Sequence, residues 1–264
     1  MNIIVPIKQV PETSNVRMDE ETGTMIREGV ESIVNPLDLY AIETALNLKE
    51  TQGARVTVLS MGPSKAEKAV KEAISMGCDD GILISGAGFA GSDTWATAYA
   101  LSRAIEKLSP FDLIITGVRA TDGDTGQVGP GIASFLDVPL ATFTSSIQEI
   151  GEDAIVVERL VEEGYETWRL PLPCLLTVVK EISYPRLPTL RGKQRARGME
   201  VPVWGVAELD VEDGALGLKG SPTRVVKIDR PRVTRNGRII DVRSSGVREA
   251  VRELLDVLDE KGLL

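Results

Sequence analysis

Five short apolar runs, rich in Ile, Val and Leu, recur along this chain: Ile3 to Ile7, Val56 to Leu59, Gly81 to Ser85, Leu113 to Thr116 and Leu175 to Val179. A strand with no polar alternation must be covered on both faces, which is the condition of a buried parallel strand. Helical patterns fill the gaps, from Asn35-Pro36 through Leu48, Ser64 to Met76, Ser92 to Leu108 and Gly126 to Leu136. Strand and helix in alternation predict an α/β fold, a mostly parallel sheet with flanking helices. Asn35 is placed to cap the first helix, with Pro36 at its first position, where a missing N–H costs nothing. Gly77 is placed to stop the second helix in the left-handed region.

From about Ala141 the pattern changes. Residues 154–160 and 165–170, separated by Glu162-Glu-Gly164, predict an antiparallel hairpin with a glycine-containing turn. After Lys180, about fifty residues scatter Pro and Gly with little periodicity, and then Val247, Val251, Leu254, Leu255 and Leu258 share one helical face. The expected organisation is an α/β domain over 1–200 and an extended C-terminal arm over 201–264, ending in an amphipathic helix.

Composition narrows the chemistry. Histidine is absent, which removes Ser-His-Asp and Cys-His nucleophiles, histidine metal sites and the commonest general base near neutral pH. Any chemistry is then expected to be carried by a bound cofactor, with the protein supplying position and electrostatics. Cys78 and Cys174 lie far apart in apolar or small-residue contexts, a spacing that suits neither a disulfide framework nor a metal site and fits a reducing compartment. The formal net charge is −9, so no nucleic acid and no anionic membrane is expected as a partner. Residues 1–8 lack a basic start and a long apolar run, so a soluble cytoplasmic protein without membrane insertion is expected.

Residues 117–130, GVRATDGDTGQVGP, follow the strand at Leu113 and lead into an apolar helix. A glycine-rich turn at the carboxyl end of a parallel strand, feeding a helix N-terminus, exposes N–H groups suited to phosphate. Thr125 is placed both to cap that helix and to donate to a phosphate; a plain capped turn has the same spacing. It is neither a Walker A loop nor a GxGxxG motif. Asp122 and Asp124 would repel a bare phosphate, so one is expected to accept from a nucleotide hydroxyl or to point away. Pro6 and Lys8 end the first strand, where open α/β sheets bind ligands, and Val34-Asn35-Pro36-Leu-Asp38 and Ser60-Met61-Gly-Pro63 hold similar positions. Residues 185–197 carry five cations and no acid around Leu190. An aliphatic anchor in a charged rim suits docking onto an acidic partner, with Arg186, Leu190, Arg191 and Lys193 as contacts.

Taken in order, residues 4–8 (IVPIK), 34–36 (VNP) followed by Glu43, 60–63 (SMGP), 122–128 (DGDTGQV) and 184–190 (YPRLPTL) resemble the electron-transfer flavoprotein β subunit over nearly the whole chain. The resemblance implies a Rossmann-like core, an α subunit with its own FAD, and a C-terminal arm packing on that subunit. It also implies that 184–198 is a recognition loop whose Leu190 enters a partner dehydrogenase. The compact loop at 122–130 is similar to those of electron-bifurcating members, which hold FAD here; other members hold a structural AMP. On that branch NADH would be the hydride donor. Ferredoxin or flavodoxin and an FAD-dependent dehydrogenase of acyl-CoA or lactate type would be the acceptors, and the chain would be a redox subunit with no catalytic side chain of its own. Cofactor contacts carried over by motif are Pro6, Lys8, Asn35, Asp38, Met61, Gly117, Arg119, Thr121, Asp122, Thr125, Gly126, Gln127 and Val128. A further class, an adenine-nucleotide sensor or ATPase of similar architecture, has the missing Walker lysine against it.

Overall fold

The computed structural model describes residues 1–12, 17–18, 25–26, 31–212, 214–224, 226, 237 and 239–264. Its elements in chain order are β1 (Asn2–Ile7), β2 (Gln9–Pro11), β3 (Arg17–Met18), β4 (Met25–Ile26), β5 (Ser32–Val34), α1 (Asp38–Gln52), β6 (Arg55–Met61), α2 (Glu67–Met76), β7 (Asp80–Ile84) and α3 (Thr94–Lys107). Then follow β8 (Leu113–Gly117), α4 (Val128–Leu136), β9 (Leu140–Ile150), β10 (Ala154–Val161), β11 (Gly164–Pro171), β12 (Cys174–Val178), α5 (Leu190–Gly198), β13 (Val203–Trp204), α6 (Gly217–Gly220), α7 (Val242–Ser245) and α8 (Val247–Glu260).

The main sheet runs β11-β10-β9-β12-β8-β1-β6-β7-β13. It is parallel from β9 through β13 and antiparallel where β9, β10 and β11 meet. Each apolar run predicted as a buried strand divides its side chains between two cores. Ile3, Val5 and Ile7 of β1 join Val56 and Val58 of β6 and Leu113 and Ile115 of β8 beneath α1 and α2. Ile4, Leu59 and Ile114 face the other way, against Ala98, Leu101, Ala104 and Ile105 of α3 and Ile132 of α4. Burying each such side chain contributes roughly 1.5–3 kcal/mol, so the continuous apolar runs specify a sheet covered on both faces. The predicted α/β fold with a mostly parallel sheet and an antiparallel hairpin is the one observed.

Four local readings change. α1 begins at Asp38 with Leu37 as its N-cap and no side-chain cap, so Asn35 and Pro36 lie in the preceding turn. Gly77 does stop α2, but at φ +137° and ψ −1°, outside the left-handed helical region. Residues 140–150, not read as a strand, form β9, whose mixed burial hides the alternation. The stretch after Lys180 lies partly outside the described residues, and its described part contains α5, β13 and α6.

The chain divides into compact units at Met1–Val226 and Lys227–Leu264, so the first runs past the expected boundary at 200. Pairing of Val203 and Trp204 with Leu83 and Ile84, and burial of Leu209, account for that extension. The second unit contains α7 and α8, with Val247, Val251, Leu254 and Leu255 of α8 exposed. No helix among the described residues is long and apolar enough to cross a membrane.

Candidate functional site

β1 is the pivot of the sheet. From it the chain moves outward through α1, β6, α2 and β7, then returns by α3 to β8 on the other side of β1. Such a reversal opens a crevice at the carboxyl ends of the two central strands. Registered pairing of β1 with β8 covers only Ile3 with Leu113 and Ile4 with Ile114. The Asn2 carbonyl accepts from the Asp112 N–H at 2.9 Å, so even-numbered residues of β1 turn their backbone toward β8. Pro6 is even, buried, and has no N–H to leave stranded where the strands part.

Three segments meet at this crevice, and Asn35 ties them. Fully buried, it donates its own N–H to the Lys8 carbonyl at 2.8 Å. Its side-chain amide donates to the Arg119 carbonyl at 2.9 Å and accepts from the Thr121 N–H at 3.1 Å. The side chain expected to cap α1 is thus committed to the glycine-rich loop. A buried amide with every group engaged fixes geometry, because breaking any one bond strands its partner.

Asp38, buried in the first turn of α1, accepts the Lys8 N–H at 2.7 Å. Burial pushes its carboxyl up to about 7, opposed by the Lys8 N–H, the Asn35 side chain, the Lys8 charge and the Gly117 backbone. Gly117 lets α1 and β8 close to this distance: a Cβ there would lie 2.4 Å from Asp38 Oδ1 and 2.8 Å from the Leu37 carbonyl carbon and oxygen. A carboxyl whose pKa is raised on folding stabilises the fold fully below its unfolded value near 3.8, and that contribution is lost as pH rises through about 7. The change amounts to at most about 4 kcal/mol at 1.36 kcal/mol per unit. Urea unfolding of wild type and Asp38→Asn should therefore show the wild type losing stability relative to the variant between about pH 4 and 7. A difference that stays flat over that range would contradict the account.

The loop itself is open. Lys8 Nζ pairs with Asp122 Oδ1 at 2.7 Å and Arg119 Nε with Asp124 Oδ1 at 3.1 Å, so each acid of the loop is matched by a cation. Both pairs are exposed and contribute roughly 0–1 kcal/mol each, so an anion can exchange with either carboxylate at little cost. Asp124 and Gly126 sit at φ +55° and +64°, turning the chain toward α4. α4 starts at Val128 after Gln127 with no side-chain cap. Thr125 is therefore not the cap; it accepts from the Thr94 hydroxyl at 3.3 Å. The uncapped first turn of α4 offers N–H groups and the positive end of the helix dipole. Beside it, Thr116 Oγ1 at the carboxyl end of β8, which a Cβ on Gly129 would approach to 2.8 Å, is buried without a hydrogen-bond partner among the described residues, and so is Ser60 Oγ at the carboxyl end of β6. Met61 ends β6, partly buried against the α3 side. Orphaned hydroxyls, open amides and available cations at one crevice fit the phosphates and polar edge of a nucleotide.

The structure gathers Pro6, Lys8, Asn35, Asp38, Gly117, Arg119, Thr121 and Asp122 through the contacts above, and carries Thr125, Gly126, Gln127 and Val128 on the same loop. Thr94 and Thr116 were missed, since a lone hydroxyl has no sequence signal apart from its place at a strand or helix end, and Ser60 was read only as part of the 60–63 turn. No thiol chemistry competes: burial pushes Cys78 and Cys174 each up to about 12.

The basic segment is a separate surface, and it is not all loop. Thr189 caps α5, accepting from the Gly192 N–H at 2.9 Å, and the helix carries Leu190, Arg191 and Lys193, all exposed. Arg186 is not free: its guanidinium and N–H grip Glu43 at 2.9–3.1 Å, and it also reaches Glu50. Arg186 thereby holds the exposed Glu50 carboxyl below the usual carboxylate range. Held on α1 in this way, the segment presents Tyr184, Leu187 and Leu190 at 85% exposure or more.

Fold and crevice together define a doubly wound α/β protein with a candidate ligand site at the topological switch point. The chain belongs to the electron transfer flavoprotein family: the model of the electron transfer flavoprotein domain matches residues 22–209. It is 46% identical to the electron transfer flavoprotein subunit beta of Thermoanaerobacterium thermosaccharolyticum, with all of both chains covered. It is 40% identical, again with full coverage of both, to the caffeyl-CoA reductase-Etf complex subunit CarD of Acetobacterium woodii. Identity to protein FixA of Azotobacter vinelandii is 45%, covering 88% of this chain and 85% of that protein.

Proposed function

We propose that the chain is the β subunit of a heterodimeric, electron-bifurcating electron transfer flavoprotein, holding FAD at the switch-point crevice. The observation that carries the reading is the open loop from Gly117 to Val128, pinned by Asn35 and feeding the uncapped start of α4. Arg119, Lys8 and the α4 amides would hold phosphate, with Ser60, Thr116 and Met61 toward the remaining polar and apolar edges of the nucleotide. When bound, FAD supplies the hydride and single-electron chemistry, accepting from NADH and delivering to ferredoxin or flavodoxin and, through the α-subunit FAD, to a flavin dehydrogenase. The chain's own residues bind and orient.

Support for FAD over AMP comes from the compactness of residues 122–130. The exposed stripe of α8 suits packing on an α subunit, and Leu190 among cations suits a dehydrogenase with an acidic rim. Purification with the α subunit, followed by denaturation and chromatography of released nucleotides, tests the reading. A second FAD beside the α-subunit one is the expected result. Recovery of AMP in its place would instead make this subunit a scaffold and docking surface.

A further inference from the structure

The first turn of α3 joins two parts of the molecule. Asp93 caps the helix with one carboxylate oxygen, Oδ1, which accepts the Ala96 N–H at 3.1 Å. Its other oxygen, Oδ2, accepts both the Thr223 N–H at 2.9 Å and the Thr223 hydroxyl at 2.7 Å. The Asp93 N–H donates to Ser221 Oγ at 2.8 Å, and the Ser221 hydroxyl donates on to the Gly217 carbonyl at 2.7 Å. The Gly217 N–H in turn donates to Ser92 Oγ at 3.1 Å. Gly217 sits at φ +59°, where a Cβ would come within 2.6 Å of the Gly88 carbonyl oxygen, so the seat accepts only glycine. Residues 217–223, shortly before the second unit begins at Lys227, are thus fastened to the N-terminus of α3.

The neighbouring residue faces the other way. Thr94 donates its hydroxyl to Thr125 Oγ1 at 3.3 Å, inside the glycine-rich loop. Asp93 and Thr94 share one rigid helical turn, so a displacement at either attachment is felt at the other. Burial raises the Asp93 carboxyl, but the Thr223 hydroxyl and the Ala96, Thr223 and Trp95 amides outweigh it and hold the group below the usual carboxylate range. The acceptor therefore stays charged through neutral pH.

We propose that Asp93 is a positioning residue that couples the glycine-rich loop at 119–128 to the root of the C-terminal unit at 217–223. An anion seated in the loop and the conformation of that root are set together, and by linkage each biases the other equally. Its meaning for a nucleotide rests on the FAD reading above; the coupling itself rests on the geometry of α3.

Two variants separate coupling from simple bracing. Asp93→Asn keeps a capping oxygen, and Asn caps helices as well as Asp does, but it sets an NH2 where Oδ2 receives two donors. Thr223→Val removes the hydroxyl bond alone. On the full chain without nucleotide, amide exchange followed by mass spectrometry should quicken at 217–224 in both variants. It should also quicken about fivefold or more at 119–128, the lower end of ordinary coupling strengths. Quickening confined to 217–224 overturns the proposal. FAD titrated into wild type and Thr223→Val, read by flavin fluorescence, should bind the variant about fivefold more weakly. It should slow exchange at 217–224 in the wild type alone. Equal FAD affinity in both chains also overturns the coupling while leaving the nucleotide reading intact. If FAD fails to bind while the two segments still respond together, the coupling is upheld and the FAD reading falls.

Discussion

Arg186→Ala should cost the chain about 3–5 kcal/mol of folding stability, the penalty for leaving a buried carboxylate without its partner. Glu43 is only 5% exposed, in the middle of α1, and Arg186 supplies it with guanidinium and backbone donors at 2.9–3.1 Å. Truncating Arg186 removes the side-chain donors and leaves the charge desolvated. The exposed bond to Glu50 adds little, because solvent screens it. Glu43→Gln in the Arg186→Ala background removes the stranded charge and should recover a large part of the loss. Arg186→Lys should fall between, since an ammonium keeps the charge but not the planar fork. Chemical unfolding of wild type, Glu43→Gln, Arg186→Ala and the double variant forms the cycle, and a loss under about 1 kcal/mol for Arg186→Ala would show that Glu43 is solvated by other means. The cost has a functional side: Arg186 holds residues 184–189 against α1, so the variant should also lose order at Leu187 and Leu190.

Gly117→Ala should destabilise by about 1–3 kcal/mol, the usual cost of overpacking, and more if the backbone cannot yield. The added methyl meets the Leu37 backbone at 2.8 Å, not the tip of a movable side chain, and Asp38 Oδ1 at 2.4 Å. Relief requires α1 to back away from β8. That movement would lengthen the Asp38 bond to the Lys8 N–H and pull Asn35 from Arg119 and Thr121, so nucleotide content should fall together with the melting temperature. Gly123→Ala is the matched control, because nothing lies within 4 Å of its new methyl. Equal melting temperatures for the two variants would mean that the close approach of α1 to β8 is not what Gly117 serves.

Much of this architecture was legible before any coordinates. Runs such as Leu113 to Thr116 are apolar without alternation, and only a strand covered on both faces buries them. The hairpin was legible from its turn, since two short runs flank Gly164, which sits at φ +141° where β10 and β11 pair antiparallel. β9 escaped because one strand serves two neighbours: it runs parallel to β12 and antiparallel to β10, with bulges in both pairings and Phe143 at φ +56°. Its burial has no single period to read.

The glycine-rich loop was found for a sound local reason, its place between a strand and a helix. The roles inside it were not legible. Thr125 reads as a cap from spacing, yet its hydroxyl meets Thr94 from α3. Asn35 reads as a cap of the next helix, yet it holds residues eighty-four and eighty-six positions away. The cations of 185–197 read as one docking surface, yet Arg186 reaches back across 143 positions to Glu43.

What the sequence alone determined, then, is the central layering: which segments form the core parallel strands and the helices between them, and where the chain turns at a strand's carboxyl end. Those follow from periodicity, a property of neighbours along the chain. Only the tertiary structure decided the partners of the polar side chains. Once buried, a polar group must bond to whatever donor or acceptor the fold brings within about 3 Å. At the crevice between β1 and β8 that choice was made by packing, which seats α1 against Gly117 and so delivers Asn35 and Asp38 to the loop.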